Sequence, residues 1–197
     1  MDWYEDEVRG LEAGLCKRMA AAQPVVFYGS SSIRLWTSLA RDFPDVPVLN
    51  CGFGGSTMEA CSWFFSRLVA PLAPSALVLY AGDNDLGDGR MPDFVLTQLR
   101  YLLQQVDQHC GAIPMLLLAV KPSPARWAMR ARIEATNRGL QEAAAARVST
   151  RYVDLYTPML ADDAPRRELF AEDGLHLSDA GYALWRAVID DHRPGLF

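Results

Sequence analysis

Three consecutive serines, Ser30 to Ser32, follow the apolar run VVFY and precede a segment with helical spacing. A serine hydroxyl acts as a nucleophile when a neighbouring base takes its proton and a third group orients that base. Serine and glycine clusters between periodic segments are more often simple polar turns. Whether one of these serines is reactive therefore depends on whether the chain also supplies a base and a site for an oxyanion.

A candidate base lies in the stretch EDGLHLSDAGYALW near the C-terminus. Asp173 and His176 are separated by two residues there, so the carboxylate can hold the imidazole tautomer and stabilise the imidazolium formed during catalysis. Ser178 is predicted to cap the last helix, whose N-terminal dipole opposes that cation, and the carboxylate offsets this effect. The other two histidines, His109 and His192, lie at a helix end and in the terminal segment, where solvated side chains are usual.

The stretch NCGFGGST, Asn50–Thr57, contains three glycines and leads into a predicted helix. Such a turn exposes backbone N–H groups toward an anion, which can be a phosphate or an oxyanion. It is not a dinucleotide fingerprint, because Thr57 stands where the last glycine of GxGxxG would fall, and the chain has no GK[ST] phosphate loop. The loop alone leaves both kinds of anion open.

A third loop, YAGDNDL, follows another apolar run. Its Asn84 carries a side-chain amide that can donate to a developing oxyanion. A turn in which Asp and Asn side chains cap the next helix explains the same residues equally well. Asp83 and Asp85 do not define a metal site, because two carboxylates in one turn lack the further ligands that a cation needs.

A common framework must position these loops. The chain has 197 residues, half of them apolar, which suits one domain with a substantial core, so residues 1–197 are assigned to a single domain. Short apolar runs predict strands near Val25–Tyr28, Val46–Leu49, Ala76–Ala81, Ile113–Val120 and Arg151–Leu155. Helical spacing occurs at Met58–Leu68, Phe94–His109, Met129–Ala146 and Ala180–Asp190, and in a first helix with the apolar face Val8, Leu11, Leu15 and Met19.

The alternation of strands and helices predicts βαβ units. Right-handed crossovers then give a parallel sheet covered on both faces, and ligands bind beyond the carboxyl ends of its strands. A hydroxyl, backbone and amide donors, and an Asp–His pair are all expected at that edge. Their combination favours catalysis over a set of unrelated turns.

Charge and cysteine content exclude several other functions. With 19 basic and 24 acidic residues the formal charge is −5, the wrong sign for binding nucleic-acid phosphates, so no nucleic-acid partner is expected. The four cysteines, Cys16, Cys51, Cys61 and Cys110, form no CxxC pair or His/Cys cluster, which predicts reduced thiols and no metal site. The acidic N-terminal segment and the short apolar runs favour a cytoplasmic protein that does not associate with membranes.

In order and over nearly the whole chain, these four loops resemble the signature blocks of the SGNH, or GDSL-type, serine hydrolases. The resemblance implies a flavodoxin-like three-layer α/β/α sandwich with a five-stranded parallel sheet, and no cofactor. It implies that Ser31 is the nucleophile of a triad with Asp173 and His176. It also implies an oxyanion hole formed by Ser31, Gly55 and Asn84, the last from the GxND block, here GDND.

The chain departs from the family pattern in the first block, where Gly-Asp-Ser-Leu is replaced by Gly-Ser-Ser-Ser at positions 29–32. This variant resembles bacterial relatives of the platelet-activating-factor acetylhydrolase catalytic subunits, and the segment AVKPSPARW resembles their fourth block. Lys121 and Arg126 in that segment are predicted to line the substrate site, while a solvated loop accounts for them equally well. The lack of a G-x-S-x-G elbow argues against the α/β-hydrolase fold.

The leading hypothesis is an esterase in which His176, oriented by Asp173, takes the proton of Ser31 as the hydroxyl attacks an ester carbonyl. Short acyl esters are the expected small-molecule substrates, because the loops carry Asp, Arg and Lys and no long apolar lid segment is evident. The alternatives are a flavodoxin-like nucleotide- or phosphate-binding module, an inactive relative kept for subunit interactions, and a hydrolase with Cys51 as nucleophile. The alcohol moiety and the oligomeric state stay open, with a homodimer as one candidate.

Overall fold

The fold is built on one sheet of five parallel strands. The computed structural model describes residues 1–16, 23–193, 195 and 197. The strands are β1 (Val25–Gly29), β2 (Val48–Gly52), β3 (Ala76–Tyr80), β4 (Met115–Leu118) and β5 (Thr150–Val153). They lie in the order β2-β1-β3-β4-β5, and each neighbouring pair is parallel. This flavodoxin-like order confirms the predicted fold class.

Helices cover both faces of the sheet. They are α1 (Glu5–Cys16), α2 (Ser31–Arg34), α3 (Leu39–Asp42), α4 (Met58–Leu68), α5 (Asp83–Gly87), α6 (Pro92–Cys110), α7 (Arg130–Ala145) and α8 (Asp179–His192). One layer is formed by α4, α6 and α7, which pack in that order. The connections from β2 to β3, from β3 to β4 and from β4 to β5 all move along the sheet in one direction, whereas the connection from β1 to β2 moves in the opposite direction. A right-handed crossover therefore puts α2 and α3 on the face opposite to this layer. There Trp36 packs against Tyr182 and Trp185 of α8.

The two central strands, β1 and β3, are buried over their whole length. Strands covered on both faces read as continuous apolar runs, which is why VVFY and ALVLY were recognisable in the sequence. The core therefore lies on either side of these strands. Their carboxyl ends lead directly into the first and third candidate loops.

Strand β2 differs from its predicted bounds, Val46–Leu49. It begins at Val48 and continues to Gly52, with Asn50, Cys51 and Gly52 paired to Phe27, Tyr28 and Gly29 of β1. The first three residues of the glycine-rich stretch are therefore strand and not loop. Asn and Gly favour turns in isolation, but pairing with a buried neighbouring strand overrides that preference.

Several short elements were not predicted because they span too few residues to show a period. These are α3, α5 and a two-stranded hairpin of β6 (Leu160–Ala161) and β7 (Ala164–Pro165). Helix α2 lies where the helical spacing after the three serines predicts a helix. The hairpin turns at Asp162 and Asp163, which both have positive φ angles, 49° and 57°. Two such residues form the tight turn that matches the twist of antiparallel strands.

Helix α1 is attached to α4. Arg67 of α4 donates to the carboxylates of Glu5 and Glu12 at 2.8 to 3.1 Å. Val8 of the predicted apolar face is fully buried, and Met19 of the same predicted face lies outside the described residues. This attachment brings the start of α1 to the glycine-rich loop.

Candidate active site

The chain turns sharply into the first loop at Gly29, the last residue of β1. Gly29 has φ of +138°, and a Cβ atom there would lie 1.8 Å from the carbonyl oxygen of Tyr80, so a side chain cannot be accommodated. The backbone N–H of Ser30 donates to the same oxygen at 3.0 Å. The close approach fixes the start of α2 beside the carboxyl end of β3.

The three serines of this loop differ in exposure. Ser30 and Ser32 are buried, with 2% and 1% of their surface exposed, whereas Ser31 at the first position of α2 is half-buried. The carbonyl of Ser32 also accepts a hydrogen bond from the Tyr182 hydroxyl at 3.0 Å, which holds α2 against α8. A substrate in solution can therefore reach the middle serine more readily than its neighbours.

The hydroxyl of Ser31 lies at one end of a chain of hydrogen bonds. Its Oγ atom is 3.1 Å from Nε2 of His176, and Nδ1 of the same ring is 2.6 Å from Oδ2 of Asp173. These are hydrogen-bond distances, although 145 residues separate the serine from the histidine. The fold thus brings together the three residues that were predicted to form a triad.

The loop that carries the histidine is rigidly organised. Oδ1 of Asp173 accepts the backbone N–H groups of Leu175 and His176 at 2.9 and 3.0 Å, leaving Oδ2 for the imidazole. The hydrogen bond from Leu175, followed by that of the His176 side chain, lowers the pKa of Asp173 to about 2. The carboxylate is therefore ionised at neutral pH and can stabilise an imidazolium.

The second loop places Gly55 in the left-handed region, with φ of +66°. The Tyr4 hydroxyl donates to the Gly55 carbonyl at 3.1 Å, and the Gly54 N–H donates to Glu7 Oε2 at 2.9 Å. The N-terminal segment therefore holds this loop in place. Sequence reasoning missed Tyr4 and Glu7, because contacts between residues 47 to 51 positions apart leave no local signal.

The third loop contains the start of α5, and the side chain of Asn84 in that helix is hydrogen-bonded to the second loop. The Nδ2 atom of Asn84 donates to the Ser56 carbonyl at 3.0 Å, and Oδ1 accepts from Nη2 of Arg126 at 3.0 Å. A side-chain amide has two N–H donors, and the contact with Ser56 uses one of them. The amide is held between the loops that follow β2 and β3.

Charged side chains are buried beneath Asn84. Lys121, which is 1% exposed, donates to the Asp83 carboxylate and to the Tyr80 hydroxyl, and Arg126 pairs with the same carboxylate. Burial raises the pKa of Asp83, but the charges of Lys121 and Arg126 outweigh it, so the pKa is lowered overall. Neither cation lies in a solvated loop, and a direct contact of either with substrate stays a prediction.

Asp85 is fully buried and accepts the Met58 N–H at 2.8 Å, which caps the first turn of α4. Burial raises its pKa to about 6, although the hydrogen bond from Met58 opposes the rise. The ordinary pKa of an aspartate is about 4, so between pH 4 and 6 the unfolded chain binds fewer protons here than the folded one. Stability contributed by this group therefore falls as the pH rises through that interval.

The difference in the free energy of unfolding between Asp85→Asn and the wild type is expected to shift by roughly 2 kcal/mol in favour of the variant between pH 4 and pH 7. The reason is that the amide still accepts the Met58 N–H and carries no charge to desolvate. Urea unfolding at several pH values measures this difference. Asp162→Asn, at an exposed position in the hairpin turn, is the matched control. A stability difference that does not vary with pH would contradict the assignment.

The described part of the chain offers little support for other kinds of site. Within it, no group of three or more His, Cys, Asp or Glu side chains is arranged to hold a metal ion. None of the helices described is long and apolar enough to cross a membrane. Cys51, the alternative nucleophile, is fully buried in β2, where a substrate carbonyl does not reach it.

The site is a serine hydrogen-bonded to a histidine that is hydrogen-bonded to an aspartate, at the carboxyl edge of a five-stranded parallel sheet. This arrangement is found in serine hydrolases. The model of the GDSL-like Lipase/Acylhydrolase family matches residues 22–184. The chain belongs to this family and is a carboxylic ester hydrolase with small-molecule ester substrates.

Solved structures share the fold. A Streptococcus pneumonia protein provisionally identified as a platelet activating factor is 20% identical, with a TM-score of 0.84 over 97% of this chain and 94% of that one. A GDSL-like lipase from Bacteroides thetaiotaomicron is 21% identical, with a TM-score of 0.80 over 96% and 100%. A lipase/acylhydrolase from Enterococcus faecalis is 24% identical, with a TM-score of 0.72 over 88% and 96%. No curated protein sequence matches significantly.

Proposed function

We propose that this protein hydrolyses esters through an acyl-enzyme intermediate on Ser31. The observation that carries the proposal is the unbroken hydrogen-bond chain from Ser31 through His176 to Asp173, with distances of 3.1 and 2.6 Å. His176 takes the hydroxyl proton as Oγ bonds to the carbonyl carbon, and then passes it to the departing alcohol oxygen. Water, activated by the same imidazole, attacks the acyl carbon and releases the acid from Ser31.

The tetrahedral intermediates carry a negative oxygen that needs donors. Ser31 is the first residue of α2, so its N–H has no partner within the helix. Together with the Gly55 N–H and the Asn84 amide it forms the proposed oxyanion hole. The hydrogen bond from Asn84 to Ser56 supports this assignment, because it ties the second and third loops together next to the first.

A fluorophosphonate probe tests the proposal directly, since it phosphonylates an activated serine and leaves a binding module or an inactive relative unlabelled. Intact mass followed by peptide mapping is expected to find one adduct, on Ser31. An adduct on Ser30, Ser32, Ser56 or Cys51 would overturn the assignment. Iodoacetamide is the matched reagent for the cysteine alternative, and activity is expected to survive it because Cys51 and Cys61 are buried.

We further propose a preference for short acyl groups, supported by the polar and charged side chains around the loops. Along a series of p-nitrophenyl esters, kcat/KM is expected to be highest for acetate or butyrate and to fall as the chain lengthens. Acetylated sugars assayed beside this series test the alcohol moiety. A clear preference for acyl chains of ten or more carbons would reject the proposal.

Other features remain predictions of the sequence. The cytoplasmic location is tested by fractionation of the source cells. A homodimer is tested by light scattering during size-exclusion chromatography, and the lack of nucleic-acid binding by a gel-shift assay at low salt, where electrostatic binding is strongest.

A further inference from the structure

Arg126 contacts two neighbouring residues of the third loop at once. Its Nη1 atom lies 2.6 Å from Asp83 Oδ1, and its Nη2 atom donates to Asn84 Oδ1 at 3.0 Å. We propose that Arg126 is a positioning residue that holds the Asn84 amide with its NH₂ group toward the oxyanion. This inference rests on the proposed function and assigns the fourth block a role other than substrate contact.

A side-chain amide needs such control because its oxygen and nitrogen are nearly equal in size and can exchange places. In the observed orientation the oxygen faces a guanidinium and the nitrogen faces the Ser56 carbonyl. The flipped amide would direct N–H groups at the cation and an oxygen at a carbonyl oxygen, losing both hydrogen bonds. It would also present an acceptor to the oxyanion. The two contacts of opposite polarity therefore select the one orientation that can stabilise negative charge.

Arg126 is itself held from both sides. Asp83 is 3% exposed and fixed by Lys121 and Tyr80, so the carboxylate that pairs with the guanidinium cannot move freely. On the other side the guanidinium packs on α5, where a Cβ atom at Gly87 would lie 2.6 Å from Nη2. The guanidinium group is planar and rigid, and it pairs with Asp83 through Nη1 while it donates to Asn84 through Nη2. The fixed position of Asp83 therefore also fixes the position of the Asn84 amide.

The segment that carries Arg126 also contacts the loop of the catalytic histidine. The backbone N–H of Ala125 donates to the Gly174 carbonyl at 3.0 Å, between Asp173 and His176. The Arg126 side chain is only 16% exposed. Both contacts of the guanidinium group are with the third loop, and little of the side chain is left to touch a substrate. We therefore assign Arg126 a positioning role and not a binding role.

A double-mutant cycle tests the inference. Arg126→Gln alone is expected to lower kcat/KM by about ten- to a hundredfold, less than the loss of the oxyanion donor itself, with KM changed little. In the Asn84→Ala background, Arg126→Gln is expected to lower kcat/KM by less than about twofold, because there is no amide left to orient. Thermal melting of all four proteins checks that they are folded.

Arg126→Lys is run through the same cycle, because it keeps a cation beside Asp83 if the glutamine variant fails to fold; the same lack of additivity is expected. Arg130→Gln, which removes a partly buried pair with Glu134 one turn further along α7, is the control and should leave kcat/KM unchanged. Losses that add across the cycle, or a raised KM at constant kcat, would overturn the inference, the second result indicating a substrate contact. If Ser31→Ala kept full activity, the proposed function itself would fail, which separates the two ideas.

Discussion

Replacing Ser31 by alanine is expected to lower kcat by roughly four to six orders of magnitude while the protein stays folded. The loss is large because nucleophile, base and orienting carboxylate act as one unit, so His176 and Asp173 contribute little without a hydroxyl to activate. The half-buried position of Ser31 at the start of α2 leaves only a small void when the hydroxyl is removed. Steady-state kinetics on a short p-nitrophenyl ester and a melting curve measure both effects.

Ser30→Ala and Ser32→Ala are the matched controls. Both hydroxyls are buried and neither belongs to the hydrogen-bond chain that ends at Asp173, so each change is expected to cost about tenfold, through loop geometry alone. Residual activity in the Ser31 variant within tenfold of the wild type would reject the nucleophile assignment. A loss at Ser30 or Ser32 as large as that at Ser31 would show that loop order, and not the Ser31 hydroxyl, is responsible.

Replacing Asn84 by alanine is expected to lower kcat by about a hundred- to a thousandfold, the usual cost of removing one oxyanion donor. Asn84→Asp keeps the acceptor that faces Arg126 and removes the donor, so it should lose at least as much activity. KM should change little, because the donor acts on charge that develops after the substrate binds.

Asn137→Ala separates this effect from a loss of folding. Asn137 is a buried amide that bonds the Val120 backbone twice, at 2.8 and 3.0 Å, and lies outside the proposed oxyanion hole. That variant should be less stable and keep the kcat of its folded fraction. The Asn84 assignment fails if Asn84→Ala retains full turnover, or if its loss of activity merely follows its loss of stability.

The architecture was largely readable from local patterns. Buried strands such as β1 and β3 are continuous apolar runs, and the longer helices show a 3.6-residue period, so neither depends on distant residues for recognition. The errors fell where local preference and tertiary context disagree. Asn50 to Gly52 look like a loop and are strand, because a buried neighbour pairs with them.

The sequence by itself determined the sheet, the edge at which the loops gather, and the residue types that could supply a nucleophile, a base and oxyanion donors. The family resemblance singled out Ser31, but only the tertiary structure placed its hydroxyl within hydrogen-bond distance of His176, 145 residues away, and showed that Tyr4 and Glu7 hold the Gly55 loop. It also decided that Lys121 lies buried against Asp83 and not in a solvated loop. The physical reason is that strands and helices follow from the periods of nearby residues, whereas a long-range hydrogen bond or the burial of a charge depends on which elements the crossovers bring together.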